Sequence, residues 1–266
     1  MKYIAFFVSL FFFPATLATA QEVKCAHDPT LSLVHTTVGV ERMFSDDEKE
    51  VNKQGVVVIG VKGTAWFLNP QTLVTIGHVA TGIKASGQWK DITIFWSDKE
   101  DQPRKYTFTT QVQLGDIVLG GMVGVEPLMT LVLKDPVPRA VLAHIRYAPL
   151  KDKEPVVGIG YKDDTLRFAT GQFMVPKANT QQSDSSGPPP GYLDFELADW
   201  PKDDRMVFDY GASGAPIFDC KGLVVAVVQN LRTQTMNLGG IEIRYSTAWG
   251  DPNVVAAPAS VLGEKK

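Results

Sequence analysis

The sequence predicts an all-β fold, a sandwich or barrel arranged in two halves of similar size. Three observations predict it: many short runs of β-branched and aromatic residues, turn residues between them, and almost no sustained helical periodicity. Val56-Val57-Val58-Ile59-Gly60-Val61 is the first such run. It passes through Lys62-Gly63 into Thr64-Ala65-Trp66-Phe67-Leu68, and Asn69-Pro70-Gln71 turns the chain into Leu73-Val74-Thr75-Ile76. Further runs follow at 92–96, 106–112, 117–125, 130–133, 156–159, 166–175 and 223–228, each bounded by Gly, Pro, Asn or Asp. Ala140 to Ile145 is at most a turn or two of helix. Pro136, Pro138 and Pro149 cluster where the halves divide, giving 21–140 and 141–266. Thr180 to Gly191 has no large apolar side chain and three consecutive prolines, the pattern of an exposed loop. The small and polar stretch after Asn253 reads as a flexible tail.

The 266 residues hold 26 Lys+Arg against 29 Asp+Glu, a net charge of −3, which excludes a surface built to coat nucleic acid or an anionic membrane. With 44% hydrophobic and 21% charged residues the chain can bury a core, which excludes a disordered or fibrous protein. Residues 1–20 read as a secretory signal peptide. Lys2 supplies the positive start, Ile4 to Phe13 an apolar run, and Ala18-Thr19-Ala20 a small-residue exit before Gln21. The run is too short for a membrane span, and no later segment is long and apolar enough to be one. The expected product is exported, to the periplasm or the medium. Cys25 and Cys220 are the two cysteines, and in an oxidising compartment an even pair invites a disulfide. The alternative is two free or metal-binding thiols, although two Cys without a neighbouring His make a poor zinc site.

Two motifs carry chemistry. The first runs from Gly63-Thr64-Ala65-Trp66-Phe67-Leu68 to Leu73-Val74-Thr75-Ile76-Gly77-His78-Val79-Ala80. The second is Asp209-Tyr210-Gly211-Ala212-Ser213-Gly214-Ala215-Pro216-Ile217-Phe218, followed by Lys221-Gly222 and the apolar run 223–228. A serine hydroxyl becomes a useful nucleophile only when a base takes its proton, so Ser213 needs a histidine within reach. A glycine two residues earlier can aim its N–H beside that of the serine, toward a developing oxyanion; Gly211 has that relation. Gly214 and Ala215 keep the turn slim enough for a substrate backbone to approach. All four histidines precede Ser213, whereas an α/β-hydrolase places its histidine after its serine.

These motifs resemble the trypsin-like (chymotrypsin-fold) serine peptidases, in particular the bacterial exported ones. In that family a T-A-x-H turn delivers the histidine and a G-x-S-G-G/A-P turn the serine. The resemblance covers most of the chain after the signal peptide, from the Val56 run to the 223–228 run. It implies two six-stranded antiparallel β-barrels with the active site in the cleft between them, His78 on the first and Ser213 on the second. It further implies an endopeptidase acting on protein or peptide, with no cofactor and no metal. His78 would be general base and then acid, Ser213 the nucleophile, and the N–H groups of Gly211 and Ser213 the oxyanion hole.

The chain departs from the family pattern at the acid that should orient the histidine. The family places an Asp at the head of an apolar strand, and in Met129-Thr130-Leu131-Val132-Leu133-Lys134 that position is Met129. Asp116, heading its own D-I-V-L pattern, is the first substitute and Glu126 the second; a bare Ser–His dyad and a non-catalytic peptide-binding module remain as alternatives. The residue six before the nucleophile, Val207, is expected at the base of the substrate pocket with Gln229 and Asn230 on its wall. That lining favours an apolar or small substrate side chain.

Overall fold

The computed structural model describes residues 22–27, 29–118, 126–138, 140–175, 191–200, 202–238 and 241–263. The expected signal peptide and the Ser/Pro stretch up to Pro190 lie outside the described residues. A helical turn, α1 (Thr30–Leu33), leads into β1 (Thr37–Met43), a strand with no counterpart among the runs read from the sequence. A small hairpin follows, β2 (Glu50–Val51) and β3 (Val57–Val58), which leaves Val56, Val57 and Ile59 exposed although they form an apolar run. Then come β4 (Gly60–Asn69), β5 (Thr72–Ile76), the short helix α2 (Gly77–Gly82), β6 (Lys90–Trp96), β7 (Tyr106–Val118) and β8 (Leu128–Leu133). Six of these strands close into an antiparallel barrel in the order β1-β4-β5-β8-β7-β6. Inward-facing Phe67, Leu73, Ile92, Ile94, Met129 and Leu131 fill it, each at most 1% exposed. Strand β7 joins two runs that the sequence separates at Gly115-Asp116. A bulge between Leu114 and Ile117 absorbs those two residues without ending the strand. The remainder of the expected 117–125 strand lies outside the described residues.

The second half contains β9 (His144–Ile145), β10 (Pro155–Lys162), β11 (Thr165–Met174), β12 (Leu193–Ala198), β13 (Pro216–Asp219), β14 (Leu223–Leu231), β15 (Thr233–Leu238), β16 (Ile241–Ser246) and β17 (Val254–Pro258). Strands β13-β10-β11-β12-β17-β14 form the second barrel, closed by β14 on β13, and β9 pairs in parallel with the start of β14. The molecule is thus an all-β pair of six-stranded antiparallel barrels, as the family resemblance implied. Strand β17 corrects the expectation of a flexible tail after Asn253. Its small apolar residues pack inward, with Val254 and Ala256 fully buried, and it pairs with both β12 and β14 to complete the barrel. Strands β15 and β16 form a separate two-stranded ribbon inserted between β14 and β17.

Side chains of one barrel reach into the other. Tyr161 of β10 is 1% exposed, stands edge-on to Phe95 of β6 at 5.2 Å, and its hydroxyl accepts the Ser97 N–H at 2.9 Å. Cys25 of the N-terminal arm is disulfide-bonded to Cys220, just after β13, with the Cα atoms 5.3 Å apart. The arm is thereby fixed to the second barrel.

Candidate active site

His78 is delivered by the junction of β5 and α2. Ile76 is still extended (φ −89°, ψ 157°), and the chain turns helical at Gly77, so His78 emerges exposed in the first turn. Strand β5 pairs with β8 in a register that sets Thr75 opposite Met129 and Ile76 opposite Leu128. Carried two residues further, that register brings His78 opposite Glu126. The side chains meet there: His78 Nδ1 lies 2.7 Å from Glu126 Oε2, and the His78 backbone N–H points at the same oxygen from 3.4 Å. The His78 hydrogen bond and charge hold the Glu126 carboxyl below its usual range, against a smaller opposing push from burial. Glu126 is itself anchored, since its backbone N–H donates to the hydroxyl of buried Tyr192, which also meets the Gln229 side chain.

Of the two acids weighed from the sequence, the lesser one is therefore the neighbour of His78. Asp116 is exposed at the β7 bulge and is absent from the lining of the cleft around His78. Met129 is 1% exposed within the first barrel core, which is why an apolar residue occupies it.

Ser213 lies in the turn between β12 and β13. Ala212 N–H donates to Asp209 O and Ala215 N–H to Ala212 O, a compact turn that Gly211 (φ +94°) and Gly214 (φ +91°) make possible. The Gly211 and Ser213 N–H groups have no hydrogen-bond acceptor among the described residues. The Ser213 hydroxyl donates to Gln229 O at 3.4 Å, and among the described residues the His78 ring bonds only to Glu126. His78, Glu126, Gly211, Ser213 and Gln229 all line one cleft of about 390 Å³ between the barrels. Val207 does not. It is fully buried in the second barrel core, whereas its neighbour Phe208 borders the cleft.

Thr64 and Thr75 of the first barrel hold the serine turn, a role that the sequence reading missed. Fully buried Thr64 donates from its N–H to Ser213 O at 2.8 Å and from its hydroxyl to Gly211 O at 2.8 Å. The same hydroxyl accepts the Tyr161 N–H at 3.0 Å, and the Thr64 carbonyl accepts the Thr75 hydroxyl at 2.7 Å. Gly214 is required by this contact rather than by substrate access. A Cβ there would stand 2.0 Å from Thr64 O and 2.2 Å from Thr75 Oγ1. Thr64→Val keeps the shape but leaves the buried Tyr161 N–H without an acceptor. A loss of about 1–3 kcal/mol is expected, or about 3–10 °C in Tm, read by thermal unfolding.

Among the described residues no group of three or more His, Cys, Asp or Glu side chains is placed to hold a metal ion, and no helix is long and apolar enough to cross a membrane. No protein-family model matches the chain, and no curated protein matches its sequence significantly. Solved structures do match. An inactive form of Rv3671c from M. tuberculosis H37Rv, carrying a serine-to-alanine substitution, is 14% identical over 88% of each chain with a TM-score of 0.50. The active form of Rv3671c protease is 15% identical over 99% of this chain and 92% of that one, again with a TM-score of 0.50. At such identities the likeness is one of fold, and it agrees with the strand order: the chain has the chymotrypsin-like double-barrel architecture.

Proposed function

We propose that the protein is a serine hydrolase that cleaves peptide bonds, exported after loss of residues 1–20. The observation that carries this reading is the carboxylate of Glu126 at 2.7 Å from His78 Nδ1, with Ser213 and two unoccupied N–H groups in the same cleft. Glu126 orients the ring so that Nε2 is free to act as a base and the imidazolium is stabilised once formed. In the reaction the Ser213 hydroxyl exchanges Gln229 O for that nitrogen as its acceptor; catalytic hydrogen bonds are often made only with substrate bound. Ser213 Oγ then attacks the carbonyl carbon as His78 takes its proton. The Gly211 and Ser213 N–H groups receive the oxyanion, and His78 returns the proton to the leaving amine. The fold shared with Rv3671c protease supports the reading.

The rival reading, a peptide-binding module on the same scaffold, was motivated by Met129. It expects an apolar neighbour at His78 Nδ1, where Glu126 lies instead. The test is labelling of the purified protein with a fluorophosphonate probe. Labelling is expected for the natural chain and is abolished in Ser213→Ala and His78→Ala. A folded natural protein that stays unlabelled between pH 6 and 9 overturns the hydrolase reading in favour of the module.

A further inference from the structure

We propose that Arg244 makes the cleft selective for substrates bearing an acidic side chain on the acyl side of the bond attacked by Ser213. The inference rests on the hydrolase reading above and deepens it. Arg244 stands on β16, opposite Thr235 of β15, and the ribbon these strands form carries it into the lining of the cleft that holds His78 and Ser213. Among the described residues its guanidinium makes one hydrogen bond, from Nη1 to the Tyr210 hydroxyl at 2.9 Å. Nη2 stays 3.7 Å from Asp209 Oδ1, outside hydrogen-bond range. A guanidinium has five N–H donors in a planar fork, so most are left for a ligand. Tyr210, 69% exposed, directly precedes Gly211, and its ring centroid is 5.5 Å from the guanidinium carbon. The cation is therefore held against the residue that precedes Gly211, in the lining of the cleft that also holds Gly211 and Ser213.

The other charges in the lining are already matched. Lys62 Nζ sits 2.7 Å from Asp164 and 3.3 Å from Glu41. Glu126 is engaged by His78, and Asp209 is ion-paired with Arg244 at 3.7 Å without a hydrogen bond, so what Arg244 keeps for a ligand is its unused N–H donors and not an unpaired charge. A lysine or arginine of a substrate finds no uncommitted carboxylate in this lining, whereas a substrate carboxylate finds a fork suited to bidentate binding. The apolar preference expected from Val207 loses its basis, because Val207 does not reach the cleft.

The experiment uses pairs of peptidyl diphenyl phosphonates identical except for Glu or Gln at one acyl-side position, and compares second-order inactivation rates within each variant. The Glu reagent is expected to react about 10–100-fold faster than its Gln partner at one position, the range of a charge-assisted hydrogen bond. Arg244→Ala should bring that ratio to near one, Arg244→Lys should keep part of it, and Arg244→Glu should invert it. A ratio read within one variant cancels any general loss of reactivity. Natural protein that labels with fluorophosphonate yet shows a ratio near one, or a ratio that survives Arg244→Ala, overturns the specificity proposal alone. Natural protein that labels with neither reagent overturns the hydrolase reading and this inference with it.

Discussion

Glu126→Gln is expected to lower kcat by about 10⁴-fold while leaving the fold intact, the magnitude known for an acid-to-amide change in a Ser-His-acid triad. In energy this is about 5.5 kcal/mol of barrier. The amide is close in size to the carboxyl, so packing against Tyr192 persists and the backbone N–H of residue 126 keeps its acceptor. What changes is the proton. The carboxylate accepts from Nδ1–H and leaves Nε2 free as a base; an amide N–H facing Nδ1 holds the proton on Nε2 instead and offers no charge to the imidazolium. Asp116→Asn, on the exposed bulge of β7, is expected to stay within about threefold of the natural protein. The ionised pair also has a pH sign. The Glu126 carboxyl is held below its unperturbed value of 4.5, so the interaction is fully present above that value and is lost as pH falls through the lowered one. Thermal stability measured from pH 3 to 8 should therefore lose this contribution only below pH 4.5 in the natural protein, a step that the Glu126→Gln variant lacks. A loss of less than tenfold in Glu126→Gln would remove Glu126 from its positioning role, and a loss near 10⁴-fold in Asp116→Asn would give that role to the bulge.

The strands and the two motifs were legible because they depend on local chemistry: β-branched runs, turn residues, and a glycine two before a serine. Glu126 was harder to see because its role depends on pairing. Aligning the acid to the head of β8 selects Met129, but the antiparallel register of β5 and β8 places a core residue there and sets residue 126 opposite His78. Pairing Thr75 with Met129, extended by three residues to His78, two past the end of β5, was the signal that could have found it. Gly214 was read as room for substrate, whereas it is room for Thr64 of the other barrel, a contact between residues far apart in sequence. Strands β15 and β16 escaped notice because the ribbon has no core to bury. Met236, Ile243 and Tyr245 remain exposed on it, and without a buried face there is no hydrophobic alternation to read. Arg244, which the ribbon carries, was invisible for the same reason.

Removing the Cys25–Cys220 disulfide by the double change Cys25→Ser and Cys220→Ser is expected to lower stability by about 2–5 kcal/mol and Tm by about 5–15 °C, with little effect on chemistry. The bond spans a sequence separation of 195 residues. Closing a loop that long restricts the unfolded chain strongly, about 5 kcal/mol in the chain-entropy model, and the observed loss should fall at or below that figure. The site has its own supports. Asp219, beside Cys220, accepts the N–H groups of Lys221 and Leu223 at 2.9 and 3.0 Å and pairs with Arg146 at 3.2 Å, so the turn from β13 to β14 is fixed without the sulfurs. Gly214 N–H donates to Val228 O at 2.8 Å and Thr64 N–H to Ser213 O at 2.8 Å, which ties the serine turn to both barrels independently of the N-terminal arm. Fluorophosphonate labelling at 25 °C should thus stay within about threefold of the natural protein, while calorimetry shows the shift in Tm. Equal Tm values for the oxidised and reduced natural protein would mean that the arm adds nothing to the fold. A labelling rate that collapses with the disulfide at 25 °C would mean that the arm, and not Thr64 and Val228, holds Ser213 in place.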